Sequence, residues 1–102
     1  MKESAFQHNL ITELKTMFPG CIVLKNDSSY LQGIPDLLVL YRDRWCSLEV
    51  KKSLRASRRP NQEYYVKLMN DMSFSAFIYP ENKEGVLNEL YSYFNQQGGV
   101  RK

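Results

Sequence analysis

The sequence predicts an α/β domain, a mixed central β-sheet flanked by helices, in the order helix, strand, strand, strand, helix, strand, helix. Three observations carry that expectation. Apolar residues recur at helical spacing in three stretches, near residues 4–18, 60–72 and 82–94. Between them lie short apolar runs bounded by Pro, Gly, Asn and Ser. The tight Arg42-Asp43-Arg44 connection makes two of those runs an antiparallel hairpin, whereas the last run returns only after a helix.

Taken in order, Phe6, Leu10, Ile11, Leu14, Met17 and Phe18 define an amphipathic helix over residues 4–18, terminated by Pro19-Gly20. Extending it one turn back brings Glu3 and Gln7 onto the arc of Leu10 and Leu14, which turns the Glu3 carboxylate towards the sheet. A second reading stands beside it. Ser4 and Gln7 also spell a Ser-x-x-Gln capping box, which leaves Glu3 just outside as a favourable charge at the helix N-terminus.

Cys21 to Leu24 reads as a short buried strand. The following stretch, Lys25 to Gly33, is polar, rich in turn formers and leads straight to Asp36, so it is the loop expected to contact a substrate. Ser29 and Tyr30 are its candidates for that contact, although Tyr30 could equally cover the core. Gly33 permits close backbone approach, and Pro35 forces Ile34 to be extended.

Leu37 to Tyr41 is apolar throughout, the pattern of a central strand covered on both faces. From Trp45 the side chains alternate. Cys46, Leu48 and Val50 point one way, so Glu49 and Lys51 share the other face, with Asp36 at the mouth of the neighbouring strand.

After Lys52, residues 53–59 form a mobile basic loop. Pro60 suits a first helical turn, and in the helix that follows Gln62, Tyr65, Val66 and Met69 share a face. Gln62 by itself is either a boundary residue or a catalytic one. Ser75 to Tyr79 is the last strand, closed by Pro80. The final helix turns Val86, Leu87, Leu90, Tyr91 and Phe94 inward, and Tyr91 and Tyr93 add aromatic surface that packs or meets a partner subunit. Residues 1–95 thus make one domain, with 96–102 a frayed tail.

A chain of 102 residues, 43% hydrophobic and 25% charged, suits a single soluble domain with one modest core. No apolar run approaches the ~18 residues of a membrane span, and no secretory leader is legible, so an intracellular protein without a membrane partner is expected. Cys21 and Cys46 read as reduced core thiols. With one histidine and no Cys-x-x-Cys, the ligand spacing for tetrahedral zinc is missing. A net charge of +3 says little, but Lys51, Lys52, Arg55, Arg58 and Arg59 crowd together with no acid among them. Such a run is either a solvated loop or a binding surface for a phosphate backbone.

Two carboxylates at Asp36 and Glu49 repel, and each pKa rises unless a cation lies between them. A divalent metal is the natural choice, because Mg²⁺ at phosphate chemistry is held by one or two carboxylates with water and phosphate completing its shell. Lys51 beside it could orient or help deprotonate an attacking water and stabilise charge on the phosphorane.

The order Gly33-Ile34-Pro35-Asp36, a spacer of about a dozen residues, then Glu49-Val50-Lys51, resembles the PD-(D/E)XK nuclease core. More narrowly, an early Glu, "GIPDLLVL", "LEVKKS" and the downstream Gln62 resemble the virus-type replication-repair nuclease (VRR-NUC) branch, close to Holliday-junction resolvases, over roughly Glu3 to Tyr79. The resemblance implies a restriction-endonuclease-like core. It further implies Mg²⁺ or Mn²⁺ held by Asp36, Glu49, the Val50 carbonyl and Glu3, catalysis by Asp36, Glu49, Lys51 and Gln62, and DNA contacts from Lys52, Arg55, Arg58 and Arg59. The activity expected is metal-dependent endonucleolytic cleavage of branched DNA, a four-way junction first, by a homodimer; a viral or phage source would fit. The rivals are a flap or nicking nuclease on linear or single-stranded DNA using the same site, and a non-catalytic DNA-binding module. The intact Asp36, Glu49 and Lys51 disfavour the latter, since binding alone needs no acids facing phosphate.

Overall fold

The computed structural model of the chain describes residues 2–96, so from residue 97 onward the tail expected to fray lies outside the described residues. Seven elements follow in the expected order: α1 (Glu3–Met17), β1 (Ile22–Lys25), β2 (Leu37–Tyr41), β3 (Arg44–Val50), α2 (Pro60–Met72), β4 (Phe74–Ile78) and α3 (Lys83–Phe94). The strands form one sheet in the order β1-β2-β3-β4. The pairs β1–β2 and β2–β3 are antiparallel and β3–β4 is parallel, which makes an α/β fold with a mixed sheet. Arg42 and Asp43 close the β2–β3 hairpin, Arg42 at φ 57°, the left-handed geometry of the first position in a primed turn.

The period-two alternation of β3 divides the molecule into layers. Cys46, Leu48 and Val50 join Leu37, Val39, Tyr41 and Ile78 in a core covered by Phe6, Leu10 and Leu14 of α1 and by Val86, Leu87, Leu90 and Phe94 of α3. Phe18, fully buried just past α1, lies with its ring 5.3 Å from Tyr41 and 5.0 Å from Phe94. Arg44 is buried at the C-terminus of α3, where its guanidinium donates to the Tyr93 carbonyl, a favourable end of the helix for a cation. On the opposite face α2 packs over β3 and β4. There the Ser47 hydroxyl donates to Ser75 Oγ at 2.7 Å and approaches Met69 Sδ at 3.6 Å, so small polar residues rather than bulky aliphatics lie under that helix.

Four expectations need correction. The first strand starts at Ile22, not Cys21, and is an edge strand that is mostly exposed rather than buried. Leu40 of β2 is likewise at the surface, because α2 covers β3 and β4 and leaves the outer face of β1 and β2 bare. Tyr91 is 52% exposed and stands outside the inward stripe of α3; Tyr93 is the half-buried one, its hydroxyl 2.8 Å from Ser73 Oγ. Finally, α1 begins at Glu3 with Lys2 as its N-cap, so Ser4 already lies within the first turn and is not a capping residue. Among the described residues no helix is long and apolar enough to cross a membrane.

Candidate functional site

Asp36 is fixed by its own backbone before its side chain does anything. The β1–β2 ladder runs one residue past Lys25 and Leu37, with the Asn26 N–H donating to the Asp36 carbonyl at 2.8 Å, and the Asn26 side-chain amide takes the Pro35 carbonyl at 2.8 Å. The β2–β3 register, Leu37 against Leu48, continues to set Asp36 opposite Glu49 and Pro35 opposite Val50. Proline has no N–H to give the Val50 carbonyl, and its own carbonyl is already occupied. The Val50 N–H therefore donates to Asp36 Oδ2 at 2.8 Å instead.

Glu49 and Lys51, both nearly buried, emerge on the same side of β3. Lys51 is held at the strand's end by its N–H to the Ile78 carbonyl, 2.9 Å. Gln62, on the first turn of α2, joins the two side chains. Its Oε1 accepts from Lys51 Nζ at 2.8 Å and from the Arg59 N–H at 3.0 Å, while its Nε2 donates to Glu49 Oε2 at 3.1 Å. Two donors on one end and a carboxylate on the other fix which way the amide points. Lys51 Nζ is 3.8 Å from Glu49 Oε2, so its closer partner is the glutamine.

The electrostatics follow from burial and proximity. Burial first, then the Asp36 charge, push the Glu49 carboxyl up to about 7, against the opposing pull of Lys51 and the Asp36 N–H; the charge of Glu3 adds a small further rise. Burial raises Asp36 as well, opposed by the Val50 N–H and by Lys51. A single ammonium thus does not compensate two acids, one of them buried and the other partly so.

The expected residues divide into those that meet and those that do not. Asp36, Glu49, Val50, Lys51 and Gln62 converge from the start of β2, the end of β3 and the start of α2. Glu3 is exposed at the first turn of α1, in electrostatic reach of Glu49. Ser29 and Arg59 line one cleft of about 200 Å³ with Ser28, Gln32, Asn61 and Gln62, which leads from the surface to the glutamine. Gly33, at φ +91°, also lines that cleft, and a Cβ added there would lie 2.7 Å from Asn61 Cγ. Tyr30 is 90% exposed, which removes the reading in which it covers the core. Lys52, Arg55 and Arg58 are exposed in the segment between Lys51 and Gln62, which is tied down by the Leu54 N–H on Glu81 Oε1 at 3.1 Å.

Sequence reasoning missed Asn26, the clamp on Pro35-Asp36, and the aromatic neighbours Phe77 and Tyr79. The parallel register sets Phe77 beside Glu49 and Ile78 beside Val50, so Tyr79 follows beside Lys51. The matched spacing of Glu49-x-Lys51 and Phe77-x-Tyr79 was visible, but which strand pairs with which is not written in alternation.

The donor set suits a hard divalent cation: two adjacent carboxylates with raised pKa values, and a Val50 carbonyl that faces a proline without an N–H. No three His, Cys, Asp or Glu side chains form a preformed cage among the described residues, so water and phosphate oxygens would supply the remaining ligands. No family model, curated protein or solved structure matches the chain.

Proposed function

We propose that the chain is a metal-dependent DNA endonuclease acting on branched DNA, with a four-way junction as its first substrate. The observation that carries this reading is the junction of Glu49, Lys51 and Gln62 opposite Asp36, in which two acids with raised pKa values face one ammonium oriented by an amide. A scaffold role has no use for such uncompensated charge, whereas cleavage of a phosphodiester does.

Asp36 and Glu49, with the Val50 carbonyl, would hold Mg²⁺ or Mn²⁺, and Glu3 would lend further negative potential from α1. Bound there, the cation would offset the paired carboxylates and polarise a phosphoryl oxygen. Lys51, its ammonium aimed by Gln62 Oε1, orients the attacking water and stabilises the charge that builds on the phosphate oxygens. Water attacks phosphorus in line and the bond to the leaving oxygen breaks. Lys52, Arg55, Arg58 and Arg59, exposed in the segment between Lys51 and Gln62, contact the DNA backbone, as Ser29 and Tyr30 do from the loop before Asp36.

Two copies of a one-site chain are needed to cut both strands of a symmetric junction, so the active form is a homodimer. The exposed strip of Ile22 and Leu24 on β1 beside Leu40 on β2 supports that reading, since it is apolar surface which a second copy would cover. The test is cleavage of labelled four-way-junction DNA with Mg²⁺, against Glu49→Ala and against EDTA; cutting that needs both Glu49 and the metal supports the nuclease.

A further inference from the structure

Arg58 occupies an unusual position for a surface arginine. Its guanidinium carbon lies 4.0 Å from the centre of the Phe77 ring and 6.0 Å from that of Tyr79, the two half-buried aromatics that stand beside Glu49 and Lys51. The side chain is exposed, and among the described residues it makes no ion pair and no hydrogen bond. A cation over two ring faces is held in place by the ring quadrupoles while its N–H groups, which point outward in the guanidinium plane, stay unspent.

We propose that Phe77 and Tyr79 form a shelf that fixes Arg58 as the arm of a second phosphate subsite, which takes a phosphodiester next to the one cleaved between Asp36, Glu49 and Lys51. The inference rests on the nuclease reading and adds to it two positioning residues and a defined phosphate for an arginine that reading places on the DNA backbone. A guanidinium offers its donors in a planar fork that matches two phosphate oxygens, and stacking leaves that fork free. Stacking also orders the side chain before DNA arrives. An unshelved arginine would lose rotamer freedom on binding, a cost of roughly two- to twelve-fold in affinity. Register does the rest: because β4 runs parallel to β3, the rings that carry Arg58 are rigidly set against the acid and the lysine of the site.

The experiment is DNA binding without turnover. Labelled four-way junction, linear duplex, and the same duplex with a single-stranded gap are titrated with protein in EDTA and in Ca²⁺ over a range of salt, with melting midpoints recorded for each variant. Arg58→Ala lowers affinity about five- to ten-fold and reduces the slope of log K against log salt by about 0.9, one phosphate contact. Arg58→Lys keeps the charge but loses the planar stack, and recovers only part of the affinity. Phe77→Leu, with every charge intact, loses roughly three- to five-fold; Phe77→Tyr restores wild-type binding, and Phe77→Leu adds nothing on top of Arg58→Ala. Wild-type affinity in Phe77→Leu, or losses that multiply in the double variant, would overturn the shelf. So would a loss confined to the gapped duplex while Arg58→Ala binds normally, since the rings would then be stacking an unpaired base. A wild-type protein that binds none of these DNAs, the four-way junction included, removes the nuclease reading and the subsite with it, a result distinct from any pattern among the variants.

Discussion

Gln62 donates its side-chain amide to Glu49 Oε2 at 3.1 Å, which ties the first turn of α2 to an acid near the end of β3. Its other end holds Lys51, so the glutamine sets the separation between the acid and the amine rather than letting them collapse into a simple ion pair. Burial first, and then the charge of Asp36, hold that acid at about 7, poised to be ionised by a cation.

Stability should therefore fall as pH rises. The Glu49 carboxyl titrates near 4.5 when unfolded and near 7 when folded, so between those values the folded state holds more protons, and stability drops across the window before levelling. Asp36, also raised, contributes with the same sign. Denaturant melts at pH 5 and pH 8 should show the wild type losing on the order of 2 kcal/mol more than Glu49→Gln. Parallel losses in the two proteins would mean that Glu49 is not the group responsible.

Metal should act in the opposite sense. At pH 8, millimolar Mg²⁺ or Mn²⁺ binds the folded site alone and raises the melting midpoint by mass action, by a few degrees. EDTA reverses the gain, and Asp36→Ala or Glu49→Ala abolishes it. A midpoint raised equally in those variants would place the ion elsewhere on the protein.

In cleavage assays Asp36→Ala, Glu49→Ala and Lys51→Ala should each lose at least ~100-fold in rate, the scale of removing an electrostatic catalytic group. DNA binding survives, because the contacts of the basic loop remain. Gln62→Ala should lose less, about ten-fold, since it releases the lysine without removing it. If Gln62→Ala proved as inactive as Lys51→Ala at unchanged melting midpoint, the glutamine would itself touch the substrate.

Gly33→Ala should destabilise the fold by about 1–3 kcal/mol, through both its positive φ and the collision with Asn61. Asn61→Ala alone should be mild, and should rescue Gly33→Ala only in part, because the Asn61 backbone carbon also lies 3.0 Å from the added Cβ. Urea melts of the three variants measure this directly; full rescue would show that the side chain alone was the obstacle.

How much of this was legible in the sequence differs by residue. The alternation of β3 announced that Glu49 and Lys51 share a face, and Pro35-Asp36 at the mouth of an apolar strand put the second acid close by, because local periodicity and proline chemistry suffice for both. Gln62 was reached only through a resemblance. Its role depends on where α2 docks, and periodicity says which face of a helix is apolar but not which strand it meets. For the same reason the exposure of β1 and of Tyr91 was misjudged: an apolar run looks alike whether it is covered on one face or two. Phe77 and Tyr79 went unnoticed because the β3–β4 pairing is a long-range choice.

The central claim is most directly tested by incubating purified protein with labelled four-way-junction, flap, linear duplex and single-stranded DNA in Mg²⁺, Mn²⁺ or EDTA, beside Glu49→Ala. The account predicts cutting of the junction in either metal, none in EDTA and none by Glu49→Ala. Tight binding without a cut strand in any lane would contradict it, and would leave a DNA-binding module in place of a nuclease.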